Sequence, residues 1–250
     1  MVYANTPSDD SFPEIPLNKP INIVVLTGAG ISQESGIPTF RSSDGLWEQH
    51  RIQDVATPEG FEQNSALVYQ FYNKRRRKLQ EENIQPHQGH LALVELESLC
   101  RGHFMLVTQN IDDLHERAGS KNTFHMHGRL LSAKCLQTGE CFPWTDDLDE
   151  SSLHPQTGEK GLLRPDVVWF GEVPYYLEDI FKALNHCDVF IAIGTSGNVY
   201  PAAGFVEQAK QAGAYAIEMN KEPTAGTSQF DVCVKGAASE TVPMLIPQKI

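Results

Sequence analysis

Ile21-Asn22-Ile23-Val24-Val25-Leu26-Thr27-Gly28-Ala29-Gly30-Ile31-Ser32-Gln33-Glu34-Ser35-Gly36-Ile37-Pro38-Thr39-Phe40-Arg41 joins an apolar run to a glycine-rich turn. The run Ile21–Thr27 reads as a buried strand. A strand that passes through such a turn into a helix aims free backbone N–H groups at an anion, usually a phosphate. Gly28 and Gly30 leave room for close approach of backbone. The dinucleotide fingerprint wants Gly or Ala at its sixth position, where Gln33 stands. Gly36-Ile37-Pro38 then stops a helix early, which suggests a loop closing over a ligand. A bare Gly-X-Gly is also what an ordinary strand–helix turn uses; the whole stretch is far more specific.

Further along, Phe104–Thr108, Val189–Ile193 and Ala214–Met219 repeat the apolar run, with a weaker Val232-Cys233-Val234. Helical patterns separate them, at His90–Leu99 and Ala202–Ala212. Strands alternating with helices predict crossover units and a mostly parallel sheet. In such a sheet ligands bind beyond the C-terminal ends of the strands. The polar motifs sit at those ends: Gly28-Ala29-Gly30, Gln109-Asn110-Ile111-Asp112, Gly194-Thr195-Ser196 and Asn220. The expected fold is therefore α/β, a Rossmann-like parallel-sheet domain from residues 21–43, 89–128 and 168–250. Residues 44–88 and 129–167 break the alternation and are read as two insertions that form a smaller domain, a helical module plus a ribbon-like module. Residues 1–20 are read as a flexible segment.

Composition narrows the class. The chain has 250 residues, 40% apolar and 21% charged, as an ordinary globular protein has. A formal charge of −12 argues against general nucleic-acid binding, which needs a basic surface. Cys100, Cys135, Cys141, Cys187 and Cys233 are too scattered for a disulfide framework, which points to a reducing compartment. The N-terminus has no secretory pattern, and no apolar run reaches the ~18 residues of a membrane helix. Cytoplasmic location without membrane partners is expected.

Several constellations bear chemistry. In Gln109-Asn110-Ile111-Asp112 the amides suit a carboxamide or ribose hydroxyls and Asp112 can accept from N–H, although an Asx turn uses the same residues. His125-Met126-His127-Gly128 holds two histidines that an extended chain would point to opposite faces, so they are poorly placed to share a metal. One histidine in a ligand cleft is a natural general base. Tyr72 and Arg75 are three apart on a predicted helix and share a face, though Lys74 to Lys78 also reads as a solvated basic face.

Taken in order, these motifs resemble the sirtuins, the NAD-dependent protein deacylases, over nearly the whole chain after residue 20. The resemblance implies a reaction that consumes NAD and an acylated lysine of a protein substrate and releases nicotinamide, the free lysine and an O-acyl-ADP-ribose. It implies that His127 is the base and that Asn110 assists catalysis. The cofactor would be held by Gly28, Ala29, Gly30, Ile31, Phe40, Arg41, Trp47, Gln109, Asn110, Ile111 and Asp112. Gly194, Thr195, Ser196, Asn220, Lys221, Glu222 and Ala238 would hold its adenosine half. Arg164–Glu172 resembles the segment that pairs with an extended substrate peptide through Val168, Phe170 and Gly171; Trp169 stands where the family commonly has Phe, with little change expected from that exchange. Ala56 with Tyr72 and Arg75 resembles the acyl pocket of the subclass that removes succinyl and malonyl groups. The family's zinc ribbon uses two Cys-X-X-Cys pairs. Here Thr138 replaces the second cysteine of the first pair and the other pair is missing, so no bound metal is expected, with Cys135, Cys141 and His154 as the only irregularly spaced ligand candidates. An NAD-dependent mono-ADP-ribosyltransferase and a non-catalytic NAD sensor remain as rival readings of the same cleft.

Overall fold

The computed structural model describes residues 15–39, 46–47 and 50–247, with Leu46 and Trp47 as backbone only. Strand β1 (Ile23–Thr27) leads into a four-residue helix α1 (Ala29–Ser32). A short ribbon, β2 (Leu46–Trp47) with β3 (His50–Arg51), precedes helices α2 (Ile52–Val55), α3 (Pro58–Gln63), α4 (Ser65–Leu79) and α5 (Gln88–Leu99). Then follow β4 (Phe104–Thr108), α6 (Leu114–Ala118), β5 (Thr123–His125), β6 (Gly128–Cys135), β7 (Cys141–Pro143) and β8 (Leu163–Val167). The chain continues with α7 (Leu177–Leu184), β9 (Val189–Ile193), α8 (Phe205–Gln211), β10 (Tyr215–Asn220), β11 (Val232–Lys235) and α9 (Ala238–Thr241).

Six strands form one parallel sheet in the order β11-β10-β9-β1-β4-β5. The strand order reverses at β1, which lies between β4 and β9, so the crevice between the ends of β1 and β9 is the topological switch point where such sheets bind ligands. Every residue of β1 is buried, because both faces are covered. Ile23 and Val25 pack on one face with Leu93 and Leu96 of α5. Val24 and Leu26 pack on the other with Ile180 and Leu184 of α7 and Phe205 of α8. Burial of one such side chain is worth about 1.5–3 kcal/mol, so the two clusters dominate the fold's stability.

A separate antiparallel sheet, β7-β6-β8, stands against α4. The Tyr69 hydroxyl of α4 donates to the Leu163 carbonyl at 2.6 Å, and the buried Arg76 Nε donates to the Leu130 carbonyl at 3.0 Å. The Asn73 amide bonds both backbone groups of Leu148 at 2.9 Å. Helix α3 starts at the Ala56-Thr57-Pro58 turn, where the Thr57 hydroxyl accepts from the Gly60 N–H at 3.0 Å with Pro58 at the first helical position.

Helix α5 is tied to the glycine turn after β1 by its own cap. His87 Nδ1 accepts from the Gly89 N–H at 3.0 Å, so Nε2 carries the proton and donates to the Ile31 carbonyl at 2.6 Å. His90 and His115 lie behind it in edge and tilted contact, with ring centroids 4.4 Å apart for His87–His90 and 5.1 Å for His90–His115. His115 Nε2 meets the Thr27 hydroxyl at 2.9 Å. Burial lowers the pKa of His90 to about 2 and of His115 to about 3, so both are held neutral.

Candidate active site

A cavity of about 940 Å³ opens over the ends of β1, β4, β9 and β10 and reaches across to α4 and the segment after β8. Its floor is the contact between two turns. A Cβ on Gly30 would lie 2.6 Å from Gly194 Cα, and one on Gly28 would lie 2.8 Å from the Gly194 carbonyl oxygen, so only glycine lets the turns touch. Gly194 has φ +62°, which itself favours glycine. The turn differs from expectation in one respect. The Gly28 N–H donates to the Ile193 carbonyl (3.0 Å), that of Gly30 to Gly194 (2.9 Å) and that of Ile31 to Gly28 (3.2 Å). These amides hold the two strand ends together and are not aimed at an anion.

Beside that floor the polar side chains are fixed in pairs. The Asn110 Nδ2 donates to the Gly28 carbonyl (3.1 Å) and to Ser32 Oγ (3.0 Å). Both of its protons are thereby engaged, which leaves Oδ1 as an acceptor. Ser32 Oγ donates to Asp112 Oδ2 at 2.8 Å, and the Leu114 N–H donates to Oδ1 at 3.2 Å. Burial raises the Asp112 pKa against these two bonds. Ser32 was not anticipated as a site residue; only its two amide and carboxylate partners, distant in sequence, reveal it.

His127 lines the same cavity. Its Nδ1 lies 3.1 Å from the Gln109 carbonyl, which can only accept, so Nδ1 carries the proton and Nε2 is the basic nitrogen. Burial lowers its pKa, and the bond to Gln109 works in the opposite direction. The segment is not extended throughout as expected, yet the two histidines serve different places, His127 lining the cavity and His125 outside its lining. The chain turns at Met126 and His127, and His125 Nδ1 meets the next carbonyl of the same loop, that of Asn110, at 3.1 Å. His125 Nε2 contacts Glu116 Oε1 at 2.6 Å, so this histidine is engaged in the scaffold.

Ala29, Gln109, Ile111, Thr195, Ser196, Asn220, Lys221, Glu222 and Ala238 all line the cavity, as do Ala56, Tyr72, Val168, Phe170 and Gly171 on its far side. Ile31 does not: its side chain is buried in the core with Leu93 and Leu96. Arg75 is not among the lining residues either. Its Nη1 donates to the Phe71 carbonyl at 2.8 Å, and its guanidinium lies 3.2 Å above the centre of the Phe71 ring. Phe40, Arg41 and the Trp47 side chain lie outside the described residues. Val199, Tyr200, Pro201 and Thr224 also line it and had no motif to mark them.

Backbone donors along the far wall are already taken. Val168 N–H donates to the His127 carbonyl, Phe170 N–H to Ala56 (both 2.9 Å) and Trp169 N–H to Glu172 Oε2 (2.8 Å). The Trp169 indole N–H, which a phenyl ring would lack, donates to the Tyr72 hydroxyl at 3.0 Å. On the small sheet, Cys141 sits opposite Lys134 and one step from Cys135, so the two thiols point to opposite faces. His154 Nδ1 accepts the amides of Gln156 and Thr157, both at 3.3 Å. Among the described residues no three metal-ligating side chains converge.

The model of the Sir2 family matches residues 28–201. The chain belongs to the Sir2 family. It is 57% identical over 227 residues to an NAD-dependent protein deacylase of Bdellovibrio bacteriovorus, covering 91% of this chain and 96% of that protein. It is 53% identical over 230 residues to one of Escherichia coli K12, covering 92% of this chain and 82% of that protein. Among solved structures, a Sir2 homologue in complex with NAD superposes with TM-score 0.79 at 40% identity, covering 89% of this chain and 87% of that one. Another, Sir2Af2 bound to a myristoylated histone peptide, superposes with TM-score 0.70 at 32% identity over 92% and 91% of the two chains. The Sir2 chain therefore shares its overall fold with these neighbours.

Proposed function

We propose that this Sir2 chain is an NAD-dependent protein-lysine deacylase that removes acetyl and acidic acyl groups, succinyl and malonyl among them. The observation that carries the reading is one cavity that brings a neutral, basic His127 and the acceptor Oδ1 of Asn110 together with the glycine floor. The deacylase names of its relatives and the NAD-bound homologue support it.

The cavity fits the cofactor in the acceptors it offers to ribose hydroxyls, Asn110 Oδ1 among them, above the floor where the two glycine turns touch. Gly28, Ala29 and Gly30, with Thr195 and Ser196, would hold the phosphate side; Asn220, Lys221, Glu222 and Ala238 the adenosine; Gln109, Ile111 and Asp112 the nicotinamide end. Arg41, Phe40 and Trp47 belong to the same proposal. When bound, NAD supplies a ribose carbon made electrophilic by a leaving nicotinamide. Asn110 Oδ1 orients a ribose hydroxyl, and His127 Nε2 takes its proton. The apolar walls of Ile111, Val167 and Trp169 exclude water, whose attack would waste the cofactor.

An acyl-lysine peptide would lie along Val168, Phe170 and Gly171. Since the N–H groups of residues 168–170 are taken, it would meet that segment's carbonyls with its own N–H groups. The acyl group would run toward Ala56 and Tyr72, with Arg75 reaching a carboxylate by leaving the Phe71 ring. The peptide-bound Sir2Af2 structure supports a peptide ligand. Residues 44–88 and 129–167 are proposed as one small domain, supported by the packing of Val68, Phe71 and Tyr72 with Leu130 and Val167. Five free cysteines support a cytoplasmic location, and among the described residues no helix is long and apolar enough to cross a membrane.

Mass spectrometry of the products from NAD with acetyl- or succinyl-lysine peptide tests the function. Equal yields of nicotinamide, free lysine peptide and O-acyl-ADP-ribose are expected. ADP-ribose retained on the acceptor would instead identify a transferase, and NAD binding without turnover a sensor. Arg75→Met should lower the succinyl-to-acetyl ratio of kcat/KM by more than about tenfold, since losing one partner of a desolvated charge pair costs about 2–5 kcal/mol. An unchanged ratio would return Arg75 to a surface role.

A further inference from the structure

Glu218 lies on β10 inside the parallel sheet, is only 2% exposed and is not among the residues that line the cavity. A carboxylate buried this deeply has to be hydrogen-bonded. Its bonds go to the segment that leaves the same strand. The Thr224 hydroxyl donates to Oε1 and the Thr227 hydroxyl to Oε2, each at 2.5 Å. The Thr227 oxygen in turn accepts the Thr224 N–H at 2.7 Å, and the two hydroxyl oxygens are 3.3 Å apart. Asn220 Nδ2 lies 3.5 Å from Oε1 and donates to the Thr195 carbonyl at 2.9 Å.

This knot fixes one wall of the cavity. Lys221, Glu222, Pro223 and Thr224 line it, whereas Thr227 does not. The segment departs from the end of β10 and is turned back at Thr227, where the single helical turn Thr227–Gln229 begins. Beside it, a Cβ on Gly197 would lie 3.1 Å from Thr224 Cβ, so the segment also packs on the turn after β9. Strand β10 sets one end of the wall and Glu218 sets the other. Hydrogen bonds to a carboxylate are roughly twice as strong as those between neutral groups, which suits a group that has to hold a loop.

We propose that Glu218 is a positioning residue for cofactor binding: from outside the cavity its carboxylate fastens Thr224 and Thr227 and so holds the Lys221–Thr224 wall ready for the adenosine half of NAD. This rests on the proposed placement of that half at residues 220–222. When the fastening is lost, the wall is formed for only part of the time, and the apparent affinity falls by the fraction formed. The acyl end of the cavity is built on other elements and is left as it was.

Calorimetric titration with ADP-ribose, which carries the adenosine half and no nicotinamide, reads this without turnover. Thr227→Val is the decisive variant, because it keeps the shape of a side chain that lies outside the cavity. Thr227→Val and Glu218→Gln should each raise the ADP-ribose Kd by about three- to tenfold, the worth of about one hydrogen bond. Thr227→Ser keeps the hydroxyl and should stay within about twofold of wild type. The double variant should fall short of the product of the two single effects, since both break one joint. With acetyl-lysine peptide, KM for NAD should rise by the same factor while kcat and the peptide KM hold within about twofold. A partly unfolded preparation would instead lower kcat and the calorimetric stoichiometry and leave Kd and KM where they were. That result overturns the proposal, as does an unchanged Kd in Glu218→Gln and Thr227→Val, or a Thr227→Ser protein as impaired as Thr227→Val. If Thr227→Val does not fold, Glu218→Gln decides by the same Kd and KM. A wild type that does not bind ADP-ribose would defeat the cofactor reading itself, and the proposal with it.

Discussion

Replacing Gly30 with alanine puts one methyl group into the tightest contact beneath the cavity. The added Cβ would lie 2.6 Å from Gly194 Cα and 2.8 Å from its carbonyl oxygen. Both are backbone atoms, so no side chain can swing away. Ordinary contact begins near 3.4 Å, which leaves about 0.8 Å to be found by parting α1 from the end of β9. That movement would stretch the 2.9 Å bond from the Gly30 N–H to the Gly194 carbonyl and tilt the cavity floor. Overpacking a close-packed site costs about 1–3 kcal/mol. In a chain of this length each kcal/mol moves Tm by about 2–4 °C, so scanning calorimetry should show a fall of about 2–12 °C. The variant stays mostly folded at 25 °C, so its NAD affinity can be titrated directly, and a loss of at least about tenfold (1.4 kcal/mol) is expected. A Gly30→Ala protein that melts within about 1 °C of wild type and binds NAD equally well would refute the reasoning.

Other outcomes follow from the same geometry. His127→Ala should lower kcat/KM by about 10²–10⁴-fold with NAD affinity largely kept; a loss of less than about tenfold would remove His127 as the base. Because burial lowers the His127 pKa and the base works only when neutral, the acid limb of kcat/KM should have its midpoint below 6.5, and a midpoint at or above that value would contradict the assignment. His115 is kept neutral in the fold, with its pKa lowered to about 3, so below pH 6.5 the unfolded chain binds a proton that the folded chain does not, and stability falls. His115→Gln, able to keep the Thr27 bond, should flatten that fall by up to about 1.4 kcal/mol per pH unit; superimposable denaturation midpoints across acid pH would count against it. Metal analysis should find well under one zinc per chain, with Tm unmoved by chelators, whereas stoichiometric zinc lost together with the fold would show that Cys135, Cys141 and His154 had been misjudged.

The central strands were legible because parallel strands covered on both faces are written as unbroken apolar runs, as in Phe104–Thr108 and Val189–Ile193. Edge strand β5 was not anticipated: Thr123-Phe124-His125 has a single apolar residue and too little length to show a period. Strand β8 hides for another reason. Arg164 and Asp166 are buried in it because polar partners meet their side chains, and no pattern of apolar residues records that. Cavity residues at strand ends could be found because turn chemistry there is local. The partnerships that orient them are not local: Ser32 meets Asp112 across 80 positions and Trp169 meets Tyr72 across 97. Ile31 lies inside the loop motif, yet α1 turns its side chain into the core, a direction the motif does not record.

The central place of β1 also constrains how this protein is made. Its residues leave the ribosome before those of the other five strands of the parallel sheet, and one edge can be covered once β4 has emerged. The other edge waits for β9, since Ile23 pairs with Val189, 166 positions later. At about 5–20 residues per second that wait lasts about 8–33 s, during which an apolar strand offers an open row of backbone donors and acceptors to any neighbouring chain. Nascent or truncated chains that stop before Val189 should therefore engage chaperones or aggregate, and the nucleotide cavity cannot be complete until Ala238, on its wall, has also emerged.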